Sequence, residues 1–159
     1  MAGFLISDLT LGAGIIGLCP IPGGGNVYAG DLTAALAWRP DRVMVLSEDA
    51  ELHGPYMNDL SKNGIRWDHL PVADMGAPGA DFMASWPAVS SRLHRGLEAG
   101  GRLLVQCYAG CGRSGAVVLR LMIEAGEAPY PALNRLRAAR PCAVETEAQF
   151  RWACEAAPR

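Results

Sequence analysis

Residues 114 to 125 leave the chain little freedom. Ala116, Val117, Val118, Leu119, Leu121, Met122 and Ile123 spread round nearly the whole helical wheel, so a helix here must be buried on all sides. Its polar pair, Arg120 and Glu124, falls on one face at i,i+4, in the weaker orientation. Just upstream, Arg102-Leu103-Leu104-Val105-Gln106 follows the Gly100-Gly101 stop and reads as a buried strand. A buried strand feeding a buried helix requires further layers to cover both.

The rest of the chain supplies those layers. Arg42-Val43-Met44-Val45-Leu46 predicts a second buried strand, and alternation over residues 65–70 predicts a less buried third. Helices are predicted over Asp31–Trp38, over Glu48–Lys62 with Asn63-Gly64 as C-cap, and over Asp81–Ala99 with Pro87 as a kink or restart. Two more follow Gly126: one opening near Pro131 and stopped by Pro141, and one from an N-cap at Thr146 to about Ala156. The expectation is an α/β fold, a central mostly parallel sheet flanked by helices, built as a single domain over residues 1–159. With 159 residues, half of them hydrophobic and 19% charged, the chain can bury a sizeable core and is not of disordered composition.

Composition also narrows the partners. A formal net charge of −2 argues against an extended nucleic-acid surface. No apolar stretch is long enough for a membrane span, and Met1 to Asp8 lacks a basic targeting region. Five cysteines, an odd number, do not suit a fully paired disulfide scaffold. The expectation is a soluble cytoplasmic protein in a reducing compartment, with no nucleic-acid or membrane partner. The histidines and cysteines have no four-ligand zinc spacing, so neither a metal nor another cofactor is expected.

One segment carries chemistry: Val105-Gln106-Cys107-Tyr108-Ala109-Gly110-Cys111-Gly112-Arg113-Ser114-Gly115. The spacing from Cys107 to Arg113 is weak evidence alone; the strand before it, the glycines, Ser114 and the helix after it make it specific. A loop entering a helix N-terminus presents unpaired N–H groups and the positive end of the helix dipole to an anion. Gly110 and Gly112 allow a tight turn and close approach to that anion. A cysteine starting such a loop is expected to have a lowered pKa and to exist largely as thiolate. Arg113 can grip two phosphoryl oxygens, and Ser114 can hydrogen-bond the sulfur.

This loop resembles the signature of the cysteine-dependent protein tyrosine phosphatases, in their dual-specificity branch. Leu70 to Pro78, with Asp74 four residues before Pro78, resembles the family's general-acid loop. Leu136 to Gln149 resembles the region after its core helices, and Leu18-Cys19-Pro20-Ile21-Pro22-Gly23 is similar to the kinase-associated, cyclin-dependent kinase inhibitor phosphatase subgroup. The resemblance implies a metal-independent phosphomonoester hydrolase with a cysteinyl-phosphate intermediate. In that reading Cys107 is the nucleophile, Asp74 the general acid and then base, and Ser114 the partner of the sulfur. Tyr108, Ala109, Gly110, Cys111, Gly112 and Arg113 bind the phosphoryl oxygens. The substrate is a phosphorylated protein or a small phosphomonoester, and phosphate or sulfate should bind the loop.

Three positions depart from the pattern. Gln106 stands where the family usually has histidine, and cannot carry charge. Glu145 stands where classical tyrosine phosphatases place a water-positioning glutamine, with Gln149 four residues on as the other candidate for that role. Cys111 lies inside the loop, and a Cys107–Cys111 disulfide would guard the nucleophile if the two Cβ atoms face each other. A neutral residue there disfavours highly phosphorylated inositol lipids. Cys19, Cys142 and Cys154 are expected in the core, as are Trp38 and Trp67. Arg135, Arg137 and Arg140 are expected on a solvated helix face, with steering of anions as the alternative. Gln106 and Glu145 keep a second function open, a catalytically weak or inactive phosphate-binding module. A sulfurtransferase or arsenate reductase would give no reason for Asp74 and Pro78.

Overall fold

Side chains alternate across the central strands, and this alternation separates two helical layers. In the computed structural model, which describes residues 3–159, β3 (Arg42–Val45) turns Val43 and Val45 to one side, while Met44 faces the other with Leu46 just beyond the strand. Met1 and Ala2, part of the segment considered for targeting, lie outside the described residues. β5 (Arg102–Cys107) alternates likewise: Leu103, Val105 and Cys107 face one layer and Leu104 the other. The sheet has five strands in the order β1-β2-β5-β3-β4. β2 (Gly14–Pro20), β5, β3 and β4 (Arg66–His69) run parallel, and β1 (Ser7–Leu11) is antiparallel on the edge.

Six α-helices cover the sheet among the described residues. α1 (Tyr28–Ala37) and α2 (Tyr56–Lys62) pack on one face, through Ala35, Tyr56 and Leu60. On the other face lie α3 (Ala80–Glu98), α4 (Gly112–Glu124), α5 (Pro129–Ala139) and α6 (Glu147–Cys154). Every residue of α4 is buried, as its all-round apolar sequence requires. Its polar pair has buried partners, although Arg120 Nε makes no hydrogen bond among the described residues: Glu124 accepts hydrogen bonds from Trp86 Nε1 (2.9 Å) and Ser90 Oγ (2.5 Å) and lies 3.0 Å from His94 Nε2. Arg120 donates to Trp152 O and lies 3.5 Å from Glu124.

The expected single α/β domain is present, with corrections. β1 and β2 form an antiparallel hairpin over residues where the sequence predicts no strand. The helix expected over Glu48–Lys62 divides into a 3-10 turn, Asp49–Glu51, and α2, because Gly54-Pro55 breaks the chain between them. Asn63-Gly64 does close α2, with Gly64 at φ +72°, and α3 runs unbroken through Pro87. Trp67 is 39% exposed rather than core, and bonds Ser61 Oγ through its ring N–H.

The largest correction concerns the cysteines. Cys111 is bonded to Cys142, an exposed residue between α5 and α6, with Cα atoms 5.1 Å apart. Cys107 is free, so the two loop cysteines are not paired with each other. Cys19 is buried as expected, and Cys154 is half-buried. A disulfide belongs to oxidising surroundings or to the proteins of hyperthermophiles; under reduction this pair is a dithiol. It closes a separation of 31 residues, which in the chain-entropy model contributes about 3 to 4 kcal/mol. Urea unfolding should therefore show reductant lowering stability by about that amount, while Cys142→Ala should start at the lower value and ignore reductant.

Candidate active site

The loop between β5 and α4 is held from behind. The carbonyl of Cys107 accepts from Ile21 N–H (2.9 Å), and that of Cys111 from Gly115 and Val144 N–H (2.9 and 3.3 Å). The carbonyls of Ala109 and Gly110 accept from the Arg140 guanidinium, at 3.1 and 2.9 Å. With these carbonyls turned outward, the planar peptide units aim the loop's N–H groups inward, at the N-terminus of α4. No side chain of the described residues caps that helix end, so its first N–H groups are left for a ligand.

Gly110 is required twice over. Its φ is +69°, and a Cβ there would collide with the backbone of Cys19 on β2. The loop is therefore seated against the sheet by an absent side chain as well as by Arg140.

Inside this cradle Cys107 is 2% exposed, with Sγ 3.4 Å from Ser114 Oγ. Arg113 is 3% exposed, and both of its terminal nitrogens are engaged. Nη1 donates to Glu51 Oε2 (2.8 Å) and Val72 O (2.9 Å), and Nη2 donates to Glu51 Oε1 (2.7 Å). Nη2 also lies 3.3 Å from Asp74 Oδ1. The hydrogen bonds from Arg113 hold the Glu51 carboxyl below its ordinary range, against the opposite push of partial burial. Asp74 is largely exposed and accepts from Met75 N–H (3.0 Å), with Met75 at φ +61°. Asp74, Cys107, Arg113 and Ser114 thus meet at one end of α4.

The side chains around Gln106 are neutral. Gln106 accepts from Tyr56 O–H (2.5 Å) and donates to Cys19 Sγ (3.3 Å), with all three residues buried. Burial pushes the Cys19 thiol up to about 12, even though Gln106 and Arg140 pull it down. Burial likewise raises Tyr56 well above its usual value. Tyr108, in the loop and 45% exposed, anchors the segment after β2 by donating to Gly24 O (2.5 Å).

The turn before α6 brings both water-positioning candidates to the loop. A Cβ on Gly112 would strike Glu145 Oε1 and would lie 3.0 Å from the Gln149 amide. Gln149 is fully buried: its Oε1 accepts from Glu145 and Thr146 N–H, and its Nε2 donates to Gly76 O in the acid loop. That amide is committed to backbone, whereas Glu145 is exposed. The same turn holds Val144 at φ +64°, a costly conformation for a β-branched residue, secured by Arg137 on its carbonyl (2.7 Å).

The three arginines expected on a solvated face separate. Arg140 is 7% exposed and backs the loop, Arg137 clamps the turn, and Arg135 pairs with Glu127 at 2.7 Å. Glu51 and Arg140 were missed as site residues, because each acts on a partner 62 or about 30 positions away, and no local pattern marks it.

Known proteins share this family and fold. The protein-tyrosine phosphatase family model matches residues 65–158. The structure of Tk-PTP in its active form is 30% identical, with a TM-score of 0.72, covering 88% of this chain and 89% of that one. A kinase-associated phosphatase whose catalytic-site cysteine is replaced by serine is 25% identical, with a TM-score of 0.81, covering 98% and 94%. The human tyrosine phosphatase-like serine/threonine/tyrosine-interacting protein shares the fold at 19% identity, with a TM-score of 0.70 over 94% and 93%. Among curated proteins none matches the chain. The family match over residues 65–158 and these likenesses put the chain in the protein-tyrosine phosphatase family, on its dual-specificity branch.

Proposed function

We propose that residues 1–159 form one dual-specificity-phosphatase-like domain that hydrolyses phosphomonoesters through a cysteinyl-phosphate. The observation that carries this is the meeting of Cys107, Ser114, Arg113 and Asp74 at the uncapped end of α4. The substrate's phosphoryl oxygens bind the inward N–H groups of residues 108–113 and the Arg113 N–H groups that Glu51 and Val72 leave free. Cys107 Sγ attacks phosphorus as the bond to the leaving oxygen breaks, and Asp74 gives that oxygen its proton. The phosphoryl group takes the Arg113 N–H that faces Asp74 in the free protein, freeing Asp74 for this role. Water then attacks phosphorus, Asp74 takes its proton, and the sulfur leaves as thiolate with Ser114 Oγ–H donating to it. Glu145, exposed beside Gly112, holds the water; Gln149 supports the turn. Tyr108 and Met75, both exposed, give the rim apolar surface suited to the ring of an aryl phosphate. The substrate in this reading is a phosphorylated protein or a small phosphomonoester.

A second reading, capture of phosphate with little turnover, is favoured by the uncharged Tyr56–Gln106–Cys19 network behind the nucleophile. Turnover of an aryl phosphate by the reduced protein separates the two. Under the hydrolase reading Cys107→Ser abolishes it while still binding phosphate. Asp74→Asn lowers kcat by about 10²- to 10⁴-fold. Phosphate binding without turnover by the wild type would establish the second reading instead.

Glu51 provides a pH test. Its carboxyl is held low in the folded protein, so its grip on Arg113 is complete at and above the ordinary carboxylate value. The grip is lost as pH falls through the lowered one. KM for the aryl phosphate should therefore rise only at the acid extreme. Glu51→Gln should raise KM about tenfold at neutral pH and lack that acid limb.

A further inference from the structure

Five arginines with no part in the phosphate loop gather at the opposite end of the sheet. Arg42, Arg66 and Arg102 begin β3, β4 and β5, and Arg92 and Arg95 project from α3. Together with Asp41 they line a cleft of 380 Å³. Arg42, Arg66 and Arg92 continue into an adjoining groove that also holds Asp68 and the exposed Trp67. β5 starts at this cleft and ends at Cys107, so the two sites are separated by the length of a six-residue strand, about 17 Å.

The cluster is under-neutralised and partly organised. Asp68 holds Arg42 (2.8 Å) and Arg92 (2.6 Å) side by side. Arg102 is committed to Trp38 O and stacks on the Trp38 ring, 4.1 Å from its centroid. Asp41 spends its carboxylate on Arg102 N–H (2.7 Å). Arg95 bonds only Ser91 Oγ, and Arg66 has neither hydrogen bond nor ion pair among the described residues. Five guanidiniums against two carboxylates leave a surplus of three positive charges, in a chain whose formal net charge is −2. Like charges confined to one concavity repel, and a low-dielectric wall concentrates their field, so the site favours a multivalent anion. Guanidinium forks match phosphate oxygens in pairs. One phosphate cannot neutralise the surplus, whereas two or three consecutive phosphates can, and they fit the cleft.

We propose that this cleft is a second anion site, for a ligand carrying consecutive phosphates. The ligand is either a nucleoside polyphosphate, whose base would meet Trp67, or an inorganic polyphosphate. The proposal does not depend on the phosphatase reading.

Calorimetric titration of the whole chain with inorganic tripolyphosphate and with ATP tests it, comparing wild type with Arg66→Gln/Arg95→Gln. The phosphate loop is intact in both proteins, so binding there is common to both. The double variant should keep the wild-type thermal midpoint and lose one binding event, or weaken it by more than about tenfold. ATP binding more tightly than tripolyphosphate, with tryptophan quenching that Trp67→Leu removes, identifies a nucleotide. Equal affinity without quenching identifies the inorganic chain. Identical isotherms for wild type and double variant, at the wild-type thermal midpoint, overturn the proposal. If the double variant unfolds early, Arg66→Lys/Arg95→Lys takes its place: it keeps the charge and loses the fork, and unchanged affinity and stoichiometry there overturn the proposal equally.

Discussion

Helix α4 has no face to give to water, and its N-terminus is left without a side-chain cap. These two facts belong together. Burial on all sides fixes where the helix lies, and an uncapped end then presents its orphan N–H groups at one fixed point. The loop preceding it is shaped by what it cannot do: its carbonyls are held outward by Arg140, Ile21 and Val144, and Gly110 admits no side chain. An anion in this cradle would meet mainly backbone N–H groups, so a chain of slightly negative net charge can carry such a site.

Arg113 connects this cradle to the rest of the sheet. Glu51, just after β3, takes both of its terminal nitrogens, and Val72 anchors it from the acid loop beyond β4. Asp74 is reached through the same guanidinium. Two segments far apart in sequence therefore register on one planar group. The turn before α6 adds a third attachment: Gln149 reaches Gly76, and the Cys111–Cys142 disulfide ties the turn to the loop.

How much of this is legible in the sequence depends on range. α4, β5 and the loop are legible because periodicity, glycine placement and helix-end chemistry are local signals. β3 and α3 are legible for the same reason. The β1–β2 hairpin is not, because Gly12, Gly14 and Gly17 dilute its apolar pattern. Gly17 is glycine for a tertiary reason: a Cβ there would lie 2.8 Å from the Trp38 ring. Partner identity is the other blind spot. Nothing near Glu51, Arg140 or Cys142 announces Arg113, Ala109 or Cys111, and Cys142 reads as core filler until the fold brings it to the surface beside the loop. The candidate loop is readable from one segment; the scaffolding that orients it is distributed over the chain.

The burial of α4 has a consequence for how the protein fails. Sites on exposed loops open by local fluctuation well before the molecule unfolds, whereas a helix packed on every side has no partial opening available. The amides of α4 beyond its first turn should be among the slowest to exchange with solvent. The phosphate cradle, rooted in the first turn of that helix, is coupled to the stability of the whole domain. The site then disappears in the same cooperative step as the fold.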